Sequence, residues 1–204
     1  MALPSAAELP SPREPGAPYR VCLVCLGNIC RSPMAETVLR AELAAAGLNG
    51  AVVVDSAGTG DWHVGDAMDP GARSALARRG HDGSGPEAHR ARQFQPSWLS
   101  RYDLILAMDS RNLADLRRMA RGGDADRIRL FGEAGGLTKT ARGLGPAAAG
   151  GQASRVVPPG DSTASDIPDP WGGGPDEFGH VLDLLGAAAP VIAARLARLL
   201  ETAG

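Results

Sequence analysis

One loop between a predicted strand and a predicted helix constrains the fold of this chain more than any other feature. The apolar run at 21–24 predicts a short buried strand. Beyond the loop, Pro33 suits a first helical position and Gly47 a helix end, with apolar residues at helical spacing between them: Ala35, Val38, Leu39, Leu43 and Ala46. A helix N terminus directs backbone N–H groups and a favourable dipole at the loop, so segment 25–32 is predicted to bind an oxyanion.

The side chains within this loop indicate which chemistry the anion undergoes. Cys25 opens the loop, and Arg31 follows after five intervening residues. A thiolate is the reactive form of cysteine, and both a helix N terminus and a guanidinium favour it. Arg31 can hold two phosphoryl oxygens with its planar fork. Ser32 can hydrogen-bond the thiolate and make it a better leaving group, and Asn28 tolerates the left-handed backbone of a tight loop. The pattern predicts phosphoryl transfer through Cys25.

The segment VCLGNICRSPMAE at 24–36 resembles the signature of the low-molecular-weight protein tyrosine phosphatases. Further segments resemble other parts of that family in the same order: the substrate-cleft wall at 55–65, the middle of the fold at 88–93 and 102–109, and the general-acid loop at 166–171. The resemblance covers roughly residues 20–133 and 166–202. It implies that the chain is an enzyme that hydrolyses phosphotyrosine in protein substrates through a phosphocysteine intermediate.

The resemblance also assigns roles around the loop. It implies that Asp169, directly before Pro170, is the general acid, with Asp166 as the nearby rival. Trp62 becomes a wall of the substrate cleft, and Trp171 can stack on the substrate ring, at a loop where the family commonly carries tyrosines. The phosphate-binding residues are then those of the loop itself: Leu26, Gly27, Asn28, Ile29 and Cys30.

A supporting set of residues follows from the same resemblance. Ser56 resembles the serine that holds the loop asparagine, and His89 resembles the histidine that braces the loop from behind, with Glu36 as its partner. Simpler roles remain open for these residues: Ser56 can be a strand end and His89 a helix cap. Asp109 resembles an acid at the mouth of the site, but we expect it to be the N-cap of the following helix.

Strands that alternate with helices predict the architecture. The strand candidates are 20–25, 51–55, 103–108 and 127–131, and the helix candidates are 33–46, 70–79, 110–121 and 176–202, with a short helical turn near 96–100. We therefore expect a single doubly wound α/β domain with a four-stranded parallel sheet, helices on both faces and the phosphate-binding loop after the first strand. Pro190 should kink or split the last helix near Gly186.

Two stretches depart from the family pattern. Residues 1–18 are a proline-rich extension without apolar periodicity or the apolar core of a signal peptide, so we expect a disordered tail. The phosphatase domain then spans 19–204. Residues 134–165 are rich in Gly, Ala and Pro, which predicts a flexible insertion.

Composition limits the partners and the compartment. The formal net charge of −2 indicates neither a nucleic acid nor an anionic membrane as partner, and we expect no membrane association. All three cysteines fall between positions 22 and 30, which favours a reducing compartment, here the cytoplasm. We expect no metal and no cofactor, because backbone amides and Arg31 can neutralise the phosphate.

Proteins with other functions contain a similar cysteine–arginine loop. Thioredoxin-linked arsenate reductases share such a loop but relay a disulfide through cysteines farther along the chain, and no cysteine follows Cys30 here. Phosphoarginine phosphatases tend to carry threonine where this chain has Ile29. A binding-only relative would normally have lost the nucleophile, the arginine or the acid. Cys30 also has a possible redox role, since its thiol can capture an oxidised Cys25 as a disulfide.

Overall fold

A parallel four-stranded sheet forms the centre of the molecule. The structure, a computed structural model, describes residues 8–137 and 164–203. The strands run in the order β2-β1-β3-β4, and every neighbouring pair is parallel: β1 Tyr19–Cys25, β2 Val52–Gly58, β3 Leu104–Ala107 and β4 Ile128–Leu130. The chain pairs β2 on one side of β1 and then crosses to β3 on the other. The loop after β1 therefore lies at the switch point where doubly wound sheets bind ligands, as predicted.

Helices cover both faces of this sheet, which confirms the expected fold class. Their bounds are α1 Arg31–Ala45, α2 Pro70–Arg78, α3 Ser84–Ala88, α4 Ser110–Met119, α5 Phe131–Ala134 and α6 Pro175–Ala203, with 3₁₀ helices at Pro96–Arg101 and Gly122–Arg127. One core cluster joins α1, α2 and α6 to the sheet, and the second joins α4 and Pro96–Arg101 to its other face. The central strand β1 is buried along nearly its whole length, as parallel strands covered on both faces are.

Local signals placed most elements within three residues of their predicted ends. Asp69 caps α2 by accepting hydrogen bonds from two backbone N–H groups, and Pro70 occupies the first turn. The short elements α3, α5 and Gly122–Arg127 were not predicted, because segments of four to six residues carry too little periodicity. Pro190 was predicted to kink or split the last helix; the split does not occur, since α6 is continuous through it. Gly186 and Pro190 both lie on the exposed face, where water can satisfy the carbonyl that proline leaves without a donor.

The prediction of a disordered N-terminal extension is wrong for residues 8–18. Leu9 is buried in the main core cluster. The Pro10 carbonyl accepts a hydrogen bond from Tyr19 Oη (2.8 Å), and the Arg13 N–H donates to Asp103 Oδ1 (2.6 Å). Proline-rich sequence lacks periodicity, but it can still pack as an extended strap when its few apolar and polar groups find partners. Residues 1–7 lie outside the described residues.

Most of the predicted flexible insertion, 138–163, also lies outside the described residues. Its edges are part of the folded domain: Ala134 and Leu137 are buried, and Ser165 Oγ donates to the Leu137 carbonyl (3.2 Å). Helix α6 is long and apolar enough to meet a membrane-span criterion based on length and composition, yet half of that stretch is buried against the rest of the domain. Core helices of globular domains meet the same criterion, so it is weak support for a membrane span.

Candidate active site

The loop after β1 wraps around the sulfur of Cys25. Cys25 is the last residue of β1, and α1 begins at Arg31, two residues before the predicted start at Pro33. The Asn28 N–H donates to Cys25 Sγ at 3.2 Å. Asn28 has φ = 57°, the only positive φ of a non-glycine residue in the described ranges, which confirms the left-handed backbone expected there. The turn points the Asn28 N–H at the sulfur, and the N terminus of α1 follows at Arg31, so the loop can receive an anion in front of the thiol.

Asn28 connects this loop to three other parts of the fold. Its Nδ2 donates to Ser32 Oγ (2.9 Å) and to Ser56 Oγ at the end of β2 (3.0 Å). Its Oδ1 accepts from the Arg92 N–H (2.9 Å), and its carbonyl lies 2.7 Å from His89 Nε2. The structure thus brings Ser56 and His89 to the positions that the family resemblance gave them. A fully buried asparagine with four such bonds fixes the loop in one conformation.

Ser32 lies between the thiol and the sheet. Its Oγ is 3.0 Å from Cys25 Sγ, and it also lies within donating distance of the Ala57 carbonyl, at 3.2 Å. The oxygen of Ser32 accepts from Asn28 Nδ2, and its single hydroxyl hydrogen can be donated either to the Ala57 carbonyl or, after rotation of the hydroxyl, to the sulfur. Ser32 can therefore stabilise a negative charge on Cys25.

Arg31 is almost fully buried and joins two carboxylates. Its Nη1 donates to Asp109 Oδ2 (2.5 Å) and to the Ile167 carbonyl (3.2 Å), and its Nη2 donates to Asp169 Oδ2 (2.6 Å). Although burial disfavours its charge, the attraction of Asp169, Cys25 and Asp109 raises the pKa of Arg31. A permanently charged guanidinium is thereby aimed at the mouth of the loop.

Asp109 has both of the roles considered for it. Its Oδ1 accepts from the Asn112 N–H (2.7 Å) and so caps α4, while its Oδ2 binds Arg31. One carboxylate oxygen caps the helix that follows β3, and the other holds the Arg31 guanidinium in place. The cap alone was expected, because sequence spacing does not reveal that α4 begins beside the loop.

A cleft of about 200 Å³ opens in front of Cys25. It is lined by nine of the residues predicted for catalysis or substrate binding, and by His63: Cys25, Leu26, Gly27, Ile29, Cys30, Arg31, Trp62, Asp169 and Trp171. Trp62 and Trp171 form walls of the cleft, and their side chains are 62% and 67% exposed to solvent. His63 was not predicted for this site; its Nδ1 lies 2.9 Å from Asp66 Oδ2. Its only sequence signal was its place directly after Trp62.

The expected pairing of Glu36 with His89 is not what the structure contains. Glu36 Oε1 forms an ion pair with Arg40 (2.8 Å), one helical turn along α1, and influences His89 only through its charge. Burial lowers the pKa of His89, although the bond to Asn28 and the charge of Glu36 oppose the shift. His89 is therefore a neutral donor to the loop.

The three cysteines have different environments. Cys22 faces the second core cluster, on the other side of the sheet from Cys25, and burial raises the pKa of its thiol. Cys30 lines the cleft with Cys25, and burial, reinforced by Asp69 and Asp169, raises the pKa of its thiol as well. All three are free thiols. In the described ranges, no group of three or more His, Cys, Asp or Glu side chains is placed to hold a metal ion.

A cysteine, an arginine and an aspartate around an anion-binding loop on a doubly wound sheet define the class of cysteine-dependent phosphatases. The family model for low molecular weight phosphotyrosine protein phosphatases matches residues 20–141. A low molecular weight protein-tyrosine-phosphatase of Streptomyces coelicolor is 43% identical over 184 residues, which cover 90% of this chain and 96% of that protein. A low molecular weight phosphotyrosine protein phosphatase of Schizosaccharomyces pombe is 38% identical, over 78% of this chain and 85% of its own.

Solved structures agree with these sequence relatives. A protein tyrosine phosphatase of Entamoeba histolytica superposes with a TM-score of 0.68 at 26% identity, covering 88% of this chain and 97% of its own. YfkJ of Bacillus subtilis gives a TM-score of 0.66 at 32% identity, over 90% and 97% of the two chains. The chain belongs to the low molecular weight phosphotyrosine protein phosphatase family, and it is a tyrosine phosphatase enzyme.

Proposed function

We propose that this protein hydrolyses phosphotyrosine in protein substrates through a phosphocysteine formed on Cys25. The observation that carries the proposal is the convergence of Cys25, Arg31 and Asp169 on one cleft. Arg31 and the loop N–H groups bind the phosphoryl oxygens, and Cys25 Sγ attacks phosphorus on the side opposite the leaving oxygen. Ser32 stabilises the sulfur as the S–P bond later breaks.

Asp169 serves both chemical steps in this mechanism. As an acid it gives its proton to the leaving phenolate while the P–O bond breaks and the S–P bond forms. The resulting carboxylate takes a proton from water, whose oxygen attacks the phosphorus. The S–P bond then breaks, inorganic phosphate leaves, and Cys25 returns to the thiolate with Asp169 protonated again.

The walls of the cleft support an aromatic substrate. Trp62 and Trp171 expose flat rings beside the loop and can flank the ring of a phosphotyrosine. Such contacts contribute about 0.5–1.5 kcal/mol per aromatic pair beyond burial. The solved structure of Wzb from Vibrio vulnificus contains benzylphosphonate, a ligand with an aromatic ring. It superposes on this chain with a TM-score of 0.64 at 27% identity, covering 86% of this chain and 97% of its own.

The alternatives have weaker support from the residues. Ile29 offers only apolar contact where a guanidinium would need a polar partner, which disfavours phosphoarginine. Arsenate reduction of the thioredoxin-linked type needs cysteines beyond Cys30, and the sequence has none. The thiol chemistry also leads us to place the enzyme in a reducing compartment, the cytoplasm.

The test compares phosphotyrosine, phosphoserine and phosphoarginine peptides on one purified sample. We expect kcat/KM to be at least tenfold higher for phosphotyrosine. Cys25→Ser should abolish the activity, and Cys22→Ser, on the far face of the sheet, should keep most of it as the matched control. Equal or faster hydrolysis of phosphoarginine would overturn the substrate assignment, and more than a few per cent of the wild-type rate in Cys25→Ser would overturn the nucleophile.

A further inference from the structure

A second depression, which we call the rim groove, adjoins the catalytic cleft. Its lining consists of residues from the loop after β1, the segment after β2 and the last two turns of α4: Leu26, Thr59, Gly60, Trp62, Asp115, Arg118 and Met119. Leu26 and Trp62 line the catalytic cleft as well. The two depressions therefore share a ridge, and a ligand that leaves the cleft over this ridge enters the rim groove.

The chemistry of the rim groove is mainly apolar. Leu26 is 40% exposed and Trp62 is 62% exposed, which places both among the large hydrophobic side chains that the described domain leaves in contact with solvent. Met119 lies beside them, partly buried against the second core cluster. At the edge, Arg118 is paired with Asp115 of the same helix, so neither side chain offers an isolated charge. This surface is suited to an apolar side chain.

We propose that the rim groove binds an apolar side chain of the substrate protein, located within about three residues of the phosphotyrosine. The inference rests on the proposed function, because it takes the phosphotyrosine ring to lie against Trp62. An extended chain advances roughly 3.3–3.6 Å per residue. A backbone that leaves the cleft over Leu26 and Trp62 therefore brings a neighbouring side chain over the groove after one to three residues.

Sequence preference would arise from this contact. The groove is open to solvent, so we expect a leucine in it to improve kcat/KM by roughly five- to tenfold over glycine, toward the low end of the discrimination that apolar pockets provide. Phenyl phosphate ends at the cleft and does not reach Met119. The effect should therefore be seen only with peptides.

The experiment scans leucine against glycine at the three positions on each side of phosphotyrosine. Rates are measured for the wild type, for Met119→Glu and for Arg117→Glu, and each peptide rate is divided by that variant's rate on phenyl phosphate. Arg117 is the matched control, since it is exposed on the same turn of α4 but lies outside the groove. We expect leucine to be preferred at one or two positions, the preference to disappear in Met119→Glu, and Arg117→Glu to keep it.

A binding measurement tests the groove without relying on Met119→Glu, which could lose the preference simply because it folds poorly. In the full chain carrying only Cys25→Ala, the NMR signal of the Met119 methyl group should shift with the leucine peptide but not with the glycine peptide or phenyl phosphate. The buried methionines Met34, Met68 and Met108 serve as internal references.

The outcomes separate the two ideas. Phosphotyrosine peptides that are cleaved without any leucine preference, or a preference that survives in Met119→Glu, would overturn the rim groove alone. An enzyme that cleaves no phosphotyrosine peptide would overturn the proposed function itself.

Discussion

In the proposed mechanism, Asp169 and a substrate phosphate would compete for the same nitrogen of Arg31. Asp169 Oδ2 accepts from Arg31 Nη2 at 2.6 Å, and its Oδ1 accepts from the Trp171 N–H at 3.3 Å. Phosphate oxygens bound to the guanidinium would displace this carboxylate toward the leaving-group side of the cleft.

We predict that Asp169→Asn lowers kcat by roughly 10²–10⁴-fold, the usual contribution of a positioned acid. An amide can still accept the Arg31 bond, so the cleft should keep its shape, but it has no proton to give. The loss should shrink for aryl phosphates with more acidic phenols, because their leaving groups need protonation less. If kcat falls equally across a series of leaving groups, Asp169 is not the general acid, and Asp166 is the next residue to test.

A second prediction at the residue scale concerns the oxidation of Cys25. We predict that peroxide oxidises the Cys25 sulfur to a sulfenic acid, and that attack by the Cys30 sulfur then releases water and forms a Cys25–Cys30 disulfide. Both residues line the same cleft. We expect inactivation that dithiothreitol reverses, and a linked peptide in mass spectra. In Cys30→Ser the inactivation should become irreversible, because no thiol is left to capture the sulfenic acid. If mass spectra of the oxidised wild type show sulfonic acid on Cys25 and no linked peptide, the predicted disulfide does not form.

At the scale of elements, the phosphate-binding loop is held by its neighbours rather than by its own contacts alone. The carbonyl of Asn28 is bonded by His89 from the segment after α3, its amide by Ser56 from β2, and its Oδ1 by Arg92. Each of these bonds joins residues far apart in sequence. Loss of one should loosen the loop without unfolding the sheet.

The half-buried His89, whose neutral form the fold favours, makes stability depend on pH. Its folded pKa lies below the reference value of 6.5, because burial outweighs the bond to Asn28 and the charge of Glu36, with Arg90 and Arg92 adding to the lowering. The unfolded chain thus binds a proton near pH 6.5 that the folded chain does not. Stability from this group is fully present above pH 6.5 and is lost as the pH falls from that value through the lower folded pKa.

We therefore expect the unfolding free energy, measured with urea between pH 5 and 8, to fall at the acid end by a component that His89→Gln removes. His180→Gln, at an exposed position on α6, is the matched control and should keep the wild-type slope. An unchanged slope in His89→Gln would mean that the histidine is not held neutral. Because glutamine can still donate to Asn28, this substitution should perturb the loop less than alanine.

At the scale of the whole molecule, the N-terminal segment fastens the end of the sheet opposite the active site. Arg13 Nε donates to the Tyr102 carbonyl (2.8 Å), and its Nη2 pairs with Asp124 (2.6 Å). Asp103 accepts from the backbone N–H groups of Arg13 and Arg20 (2.6 and 2.7 Å). These bonds tie residues 8–18 to the starts of β1 and β3.

We predict that Arg13→Ala destabilises the protein by about 1–3 kcal/mol, the usual range for hydrogen bonds of a charged group, while kcat stays unchanged. Arg20→Ala removes a charge at the same end, where the side chain is exposed, and should cost far less. Denaturant unfolding measures both. An equal effect of the two substitutions would show that the Arg13 contacts contribute no more than surface charge does.

Sequence by itself determined what depends on near neighbours in the chain. The strand–loop–helix around Cys25, the left-handed Asn28 and the N-cap Asp109 follow from residue types at fixed short spacings, because backbone conformation and capping act within a few residues. The family resemblance added the predicted role of Asp169, which local spacing could not connect to Cys25.

Tertiary structure decided what depends on contacts between distant segments. It placed His63 in the cleft and gave Asp109 its second bond to Arg31. It also packed a proline-rich segment without periodicity and carried α6 through Pro190 on an exposed face. These outcomes depend on which surfaces meet when the sheet and its helices assemble, and the free energy of burial and of long-range hydrogen bonds then overrides local preference.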